Sequence, residues 1–198
     1  MDKKNKGFTL IEMVIVVAIF AILLGIMVPS LNSLLGFRVT RAVNSIGGAL
    51  DRTRTESMNR LVAEMKLTKT SDGYYISYFL DRGKVGSQSN LQEDQPEKIA
   101  PAKTKISYKD ANYNTHELNE GDSLILTYNR ATGAFRPIQS QFLTQETILS
   151  DLEAGKDVSF EDSYANNYCV EIIIQGGGRT RAIHLNRTAG TYTIDSKI

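Results

Sequence analysis

A single acidic side chain interrupts the longest apolar run of this sequence. The run covers residues 7–29, and Glu12 is its only charged residue. A carboxylate within a membrane span costs about 3 kcal/mol on insertion scales, so an acidic residue there indicates a function and a cationic partner. Two interpretations are open: Glu12 pairs with a positive group when apolar helices assemble, or it lies at headgroup level in a plain membrane anchor.

The residues on either side of Glu12 narrow these alternatives. A basic segment, residues 1–6, precedes the hexapeptide GFTLIE, and the apolar run ends at Pro29. This order of features resembles the class III signal of type IV pilins and pseudopilins. The resemblance implies that a prepilin peptidase cuts between Gly7 and Phe8 and then methylates the new N-terminal amine of Phe8.

The same resemblance provides a partner for Glu12. Cleavage leaves a positive α-amine on Phe8, and the family pattern implies that this amine pairs with Glu12 of a neighbouring subunit. Pairing makes a buried charge tolerable. Registers of neighbouring helices that leave Glu12 unpaired are therefore disfavoured. Pairing within one chain is also open. Gly7 has no side chain, so an extended backbone can pass close to a peptidase there; a glycine at a helix start is the alternative.

The apolar run is long enough to cross a membrane. Residues 8–28 would extend roughly 32 Å as a helix, and about 20 apolar residues span the hydrocarbon core of a bilayer. The lysines before the run place that end in the cytoplasm under the positive-inside rule. A conventional secretory signal is disfavoured, because no small-residue cleavage site follows the run near Pro29.

Apolar residues recur at helical spacing after Pro29, with arginines largely between them. This pattern predicts an amphipathic helix over residues 30–66 that continues the apolar run and packs one stripe on a globular domain. Pro29 removes a backbone donor and crowds the carbonyl of Gly25. We therefore expect a joint at Gly25 and Pro29, where the helix kinks or melts between residues 25 and 36 on assembly.

From about residue 72 the pattern changes to short β-strands separated by Gly, Asn and Asp. The stretches 88–101 and 161–167 are predicted as loops, and 145–153 as a short helix or an inserted strand. Two segments, LTYNRATGAFRPI and IHLNRTAGTYTI, share Asn-Arg-x-x-Gly and predict two β-hairpins of similar build. The predicted strands cover residues 74–80, 103–108, 123–128, 134–138, 168–175, 181–186 and 191–195.

These elements predict an α+β, pilin-like fold, in which a long N-terminal helix packs against a C-terminal antiparallel sheet or two-sheet sandwich. The predicted organisation is a cleaved leader at 1–7, a transmembrane and filament-core helix at 8–29, an amphipathic helix at 30–66 and a β-rich head at 67–198. This architecture resembles minor pilins of the GspH and FimT type more than a minimal major pilin.

Sequence signals for catalysis, metals and cofactors are lacking. His116 and His184 are far apart with no Cys or carboxylate at ligand spacing, and no nucleotide-binding or hydrolase motif is present. We expect no catalytic residues, no metal and no cofactor. The single Cys169 excludes an intrachain disulfide and is expected to be a buried free thiol. Residues 161–166 fit a solvated loop better than a calcium site, and 176–178 a hairpin tip.

Three arginines near the end of the chain suggest a contact with DNA. Gly178-Arg179-Thr180-Arg181 resembles the GRxR segment of DNA-binding FimT-type minor pilins, and Arg187 follows nearby. Three guanidiniums on one edge would hold phosphates without reading sequence. A solvated strand edge is the alternative, and a net charge of +1 provides no global case for nucleic acid.

These observations favour a structural subunit of a type IV pilus or related filament, in a minor, priming or tip position. The resemblance implies other pilin subunits, the prepilin peptidase and the assembly platform as partners, with the cytoplasmic membrane as the location before an extracellular or periplasmic filament forms. A major pilin and a pseudopilin of type II secretion or competence are alternatives. A single-pass membrane binding protein, a DNA receptor and a secreted enzyme are weaker alternatives.

Overall fold

A helix of 50 residues, α1 (Leu10–Asn59), precedes two antiparallel β-sheets and a short second helix, α2 (Gln145–Glu153). The computed structural model describes residues 8–81, 94–155 and 167–197. At 1.5 Å per residue, α1 is roughly 75 Å long. The predicted α+β class, with a long N-terminal helix followed by antiparallel sheets, is confirmed.

The sheets of the described ranges contain four and five strands. In chain order the strands are β1 (Val62–Thr70), β2 (Gly73–Asp81), β3 (Glu97–Pro101), β4 (Lys105–Lys109), β5 (Thr115–Glu117), β6 (Ser123–Thr127), β7 (Glu171–Gly176), β8 (Arg179–Asn186) and β9 (Thr191–Lys197). The first sheet has the order β3-β2-β1-β6, and the second has the order β5-β4-β7-β8-β9. Neighbouring strands are antiparallel throughout.

One face of α1 forms the centre of the main core. Val39, Val43, Ile46 and Leu50 recur at helical spacing and are fully buried. They share one hydrophobic cluster with side chains of both sheets, among them Met65, Leu67, Tyr74, Ile106, Ile172 and Ile183. Burial of a large apolar side chain contributes about 1.5–3 kcal/mol, so this stripe of α1 holds the two sheets against the helix.

The helix ends at Asn59, whereas the sequence pattern predicted helix to residue 66. Arg60 has extended backbone angles (φ −120°, ψ 163°) and begins the passage into β1. β1 pairs with β2 on one edge and with β6 on the other. Leu61 and Met65 imitate a helical stripe by their spacing, but pairing on both edges of β1 outweighs this local pattern.

The predicted strand at 134–138 is irregular chain in the structure. It contacts the first sheet through two isolated bridges, Tyr128–Phe135 and Ile125–Gln139. The other predicted strands correspond to β2, β4, β6, β7, β8 and β9 with shifted ends. β3 lies in the stretch that was predicted to be a loop. This segment forms a strand because Ile99 and Ala100 are buried in the core. β3 is an edge strand, and edge strands tolerate proline.

A smaller core lies beneath α2. The hydroxyl of Thr144 accepts a hydrogen bond of 3.2 Å from the N–H of Thr147 and caps the start of the helix. Ile148 of α2 is buried in a cluster with Val62 and Phe79. The sequence left residues 145–153 open between a helix and a strand, and the structure shows the helix.

Candidate assembly segment

The first half of α1 presents an apolar surface that no described part of the chain covers. The large apolar side chains from Phe8 to Leu24 are all exposed, with exposed fractions between 43% at Val16 and 83% at Phe8. Val39 is the first fully buried apolar residue among the side chains that the structure describes. An exposed apolar surface of this extent marks a site for a membrane or for other protein chains.

A capping box lies at the start of α1, and one of its two residues is Glu12, the predicted assembly residue. Its carboxylate accepts hydrogen bonds of 2.8 Å from both the backbone N–H and the hydroxyl of Thr9. In return, the Thr9 hydroxyl accepts a bond of 3.3 Å from the N–H of Glu12. These hydrogen bonds supply no positive charge, so the pairing of Glu12 with the amine of Phe8, between subunits or within one chain, stays a prediction.

Thr9 is the N-cap of α1, a role that was not among the predictions from the sequence. The signal was present, because Thr-x-x-Glu before an apolar run is the pattern of a capping box. Phe8 lies directly before Thr9 and is 83% exposed, so its backbone is at the accessible end of the helix. Gly7 lies outside the described residues. Cleavage at Gly7–Phe8 and methylation of Phe8 stay predictions.

Helix α1 passes through the predicted joint without interruption. Gly25 and Pro29 both lie inside Leu10–Asn59, and a Cβ added at Gly25 would meet no atom within 4 Å. A change of conformation here on assembly therefore stays a prediction. Among the residues that the structure describes, no helix combines the length and the apolar character that a membrane span requires.

The three candidate DNA-contact arginines fall into two places. Arg179 and Arg181 begin β8, whereas Arg187 follows its last residue, and an eight-residue strand spans roughly 23 Å. The side chain of Arg179 packs against α1 at Gly36. A Cβ added at Gly36 would lie 2.7 Å from the Cδ and Nε atoms of Arg179. The Nε of Arg181 is buried without a hydrogen-bond partner. DNA contact stays a prediction, but one edge does not carry all three guanidiniums.

Arg187 stacks on an aromatic ring at the far end of β8. Its guanidinium carbon lies 3.5 Å from the ring centroid of Tyr168. A contact this close is a cation–π interaction that fixes the orientation of the guanidinium. Arg187 was predicted to act with Arg181 because the two are close in the chain, whereas its contact with Tyr168 was not predicted.

Each of the two histidines lies within hydrogen-bond distance of a carboxylate. His116 contacts Asp110 at 3.0 Å, and this hydrogen bond lowers the pKa of Asp110 to about 2. His184 lies 3.0 Å from Asp195 in the neighbouring strand β9. Within the described ranges, no group of three or more His, Cys, Asp or Glu side chains could hold a metal ion. The proposed calcium residues at 161–166 lie outside those ranges.

Cys169 is a buried free thiol, as the sequence predicted. It is 3% exposed in the main core. Burial raises the pKa of this thiol far above its usual range. A thiol that stays protonated is a poor nucleophile and metal ligand, so its role is packing.

A family model described as the prokaryotic N-terminal methylation motif matches residues 2–28. No curated protein matches the chain, and no solved structure matches it. Residues 2–28 are therefore a type IV pilin-like class III signal. The signal points to a structural protein that is processed by a prepilin peptidase and assembles with other pilin-type subunits.

Proposed function

We propose that this chain, a subunit of the type IV pilin and pseudopilin type, is a minor, priming or tip subunit of a filament built through the first half of α1. The observation that carries this proposal is the uncovered apolar surface of residues 8–24, which begins at the Thr9–Glu12 capping box. Packing such helices side by side removes this surface from water, and that burial drives association.

Glu12 contributes its charge to assembly. In the isolated chain, its carboxylate accepts two hydrogen bonds from Thr9. Cleavage after Gly7 adds an α-amine on Phe8, and in a bundle of apolar helices the amine of a neighbour supplies the positive charge that a buried carboxylate requires. Breaking a buried ion pair costs about 3–5 kcal/mol, which is enough to select the register of neighbouring helices.

Before assembly, the same segment anchors the subunit in the cytoplasmic membrane with its N-terminus in the cytoplasm. The prepilin peptidase removes residues 1–7 and methylates Phe8, and the assembly platform then transfers the subunit into an extracellular or periplasmic filament. Gly25 and Pro29 form the joint at which α1 changes conformation. The apolar run of residues 7–29 and the lysines before it support this location.

The minor or tip position is proposed from the head. The resemblance of the sequence to the GspH and FimT type implies a two-sheet head on one helix, and the four-stranded and five-stranded sheets of this head are consistent with that proposal. A major pilin, a type II secretion pseudopilin and a competence pseudopilin are the alternatives, and the abundance of the subunit in sheared filaments distinguishes a major subunit from a minor one.

A pair of substitutions separates the charge of Glu12 from its capping role. Glu12→Gln keeps a side chain that completes a capping box but removes the charge, whereas Thr9→Val removes the cap and keeps the charge. We expect Glu12→Gln to lower incorporation into filaments at least about tenfold, because the neighbour's amine loses its partner. Thr9→Val should assemble at close to the wild-type level. Incorporation is measured by quantitative immunoblotting of sheared filaments.

The controls are processing and helicity, measured by intact mass and circular dichroism on the same membrane extracts. Both variants should be cleaved and helical. Normal incorporation of Glu12→Gln would overturn the proposed pairing. An equal defect in Thr9→Val would show that Glu12 acts through the helix cap.

A further inference from the structure

The two Asn-Arg-x-x-Gly segments are in direct contact with each other. The second is the turn of the β8–β9 hairpin, and the first is closed by the Tyr128–Phe135 bridge. The N–H of Phe135 donates a hydrogen bond of 3.0 Å to the carbonyl of Arg187. Gly190 has a φ of +61°, and a Cβ there would lie 1.7 Å from the carbonyl oxygen of Gly133. The backbones of the two turns therefore dock without space for a side chain.

A cleft of about 480 Å³ lies beside this contact. Sites for small molecules have volumes of this order. Its polar lining comes from Asn129, Thr132, Arg136, Tyr168, Arg187 and Thr188. Two of the described residues that line the cleft are charged, Arg136 and Arg187, and both are cations.

The guanidinium of Arg187 has a fixed orientation at the cleft. Its guanidinium stacks on the ring of Tyr168 at 3.5 Å, and this contact uses its flat face. The planar edge, which carries the N–H donors, is the part of a guanidinium that recognises carboxylate and phosphate groups in a bidentate manner. Among the described residues, the guanidinium of Arg187 forms no ion pair.

Polar groups of both turns line the same cleft as this cation. Half-buried Arg136 supplies a second guanidinium on the wall of the cleft, and Thr188 follows Arg187 in the second turn. In the first turn, the amide oxygen of Asn129 accepts the N–H groups of Ala131 and Thr132 at 2.9 and 3.1 Å, which fixes the side chain. The amide nitrogen of Asn129 is consequently directed away from those backbone groups and is available as a donor.

We propose that this cleft binds an oxyanion, the carboxylate or phosphate group of a small polar ligand. Arg187 and Arg136 bind the anion, and the hydroxyl and amide side chains of the two turns bind the polar groups that carry it. This inference goes beyond the assembly role, because the cleft lies in the head and uses no residue of the first half of α1. It also assigns Arg187 to a different site from Arg179 and Arg181.

The test is calorimetric titration of the full chain in detergent micelles, in a buffer with little chloride. The probes are inorganic phosphate, glucuronate and, as a neutral counterpart, glucose. We expect saturable binding of phosphate or glucuronate, and the stronger of the two identifies the anion. Glucose should bind at least roughly tenfold more weakly, because it offers no charge to the guanidiniums.

The repeated turn provides a matched control. Arg187→Gln should weaken anion binding at least roughly tenfold, and Arg136→Gln should weaken it in the same direction. Arg130→Gln removes the equivalent arginine of the first turn, which does not line the cleft, and should leave binding within about twofold. Folding of each variant is checked by thermal melting, and Arg187→Lys, which keeps the charge and loses the bidentate edge, replaces Arg187→Gln if the latter melts early.

Three results would overturn the proposal. The first is no saturable binding of either anion. The second is equal loss in Arg130→Gln and in the folded Arg187 variant, which would mean diffuse attraction by the net charge of the head. The third is binding of glucose as tightly as glucuronate. None of these results bears on the role of Glu12, so failure here is distinct from failure of the assembly proposal.

Discussion

Glu64 has a fully buried side chain on β1, beneath the segment that leads to α2. One carboxylate oxygen accepts a hydrogen bond of 3.0 Å from the N–H of Leu143, and the other is buried without a hydrogen-bond partner. Burial raises the pKa of this carboxyl to about 7, and the bond from Leu143 opposes that rise. The neutral acid is therefore the form that the folded head prefers below about pH 7.

This preference makes the stability of the head depend on pH. The folded pKa is above the unfolded value of about 4.5, so the folded state binds the proton more strongly. Its stabilising effect is complete below pH 4.5 and is lost as the pH rises through 7. We expect the free energy of unfolding to fall by up to about 3 kcal/mol between those values. Denaturant unfolding at pH 5 and pH 8 measures the difference.

Glu64→Gln removes the titrating group and should abolish that part of the pH dependence. Glu120→Gln, at an exposed position, is the control and should behave as the wild type. An unchanged difference between pH 5 and pH 8 in Glu64→Gln would assign the effect to another group.

Helix α1 is one element with two different surroundings. From Val39 onward its apolar stripe is buried against the two sheets, whereas the side chains of residues 8–24 are exposed on every side of the helix. Most of the stability of a helix in a protein comes from packing of its faces. The first half therefore depends on contacts with a membrane or neighbouring chains, and Pro29 weakens the backbone between the halves.

Hydrogen exchange can follow this joint through assembly. We expect amide protection between residues 25 and 36 to decrease when the subunit enters a filament, because neighbours then hold the two halves independently. Pro29→Ala restores the backbone donor and should keep these amides protected. The measurement is exchange with mass spectrometry on detergent-extracted subunits and on filaments. Continuous protection across residues 27–35 in wild-type filaments would contradict the proposed joint.

In the whole molecule, the proposed assembly segment and the proposed binding cleft lie in different regions. The class III signal and the exposed apolar side chains lie in residues 2–28, whereas the head has a separate core in which both sheets and the second half of α1 take part. Changes in the arginine cleft should thus leave assembly intact, and changes at Glu12 should leave the head folded. This independence follows because the two regions share a helix but no buried contact among the described residues.

Processing of the complete chain is the first expectation to measure. Intact mass and N-terminal peptide mapping of the membrane-extracted protein should show a chain that begins at N-methylated Phe8 when the host peptidase is present. Without the peptidase, residues 1–7 should remain attached, because no other cleavage site is present near the run. A chain that keeps its leader under both conditions would be a simple anchor, and one that begins beyond Pro29 would be a conventional secreted protein.

The features that short-range chemistry controls were predictable from the sequence. The apolar run, its single carboxylate and the residues before it identified the signal, because these features lie together in one continuous segment. The class of fold and most strands followed from hydrophobic periodicity, and the thiol of Cys169 was correctly expected to be buried. The capping box was equally local, and Thr9 could have been identified from its spacing to Glu12.

Only the tertiary structure decided features that depend on residues distant in the chain. β1 is a strand because β2 and β6 pair with both its edges, although its sequence continues a helical spacing. Arg187 is separated from Arg179 by the length of β8; it stacks on Tyr168 and lines the same cleft as Arg136. The sequence by itself determined the class III signal at residues 2–28, since the features of that signal lie in one continuous segment. The cleft and the burial of Glu64 depend on packing between residues that are distant in the chain, so local sequence patterns could not predict them.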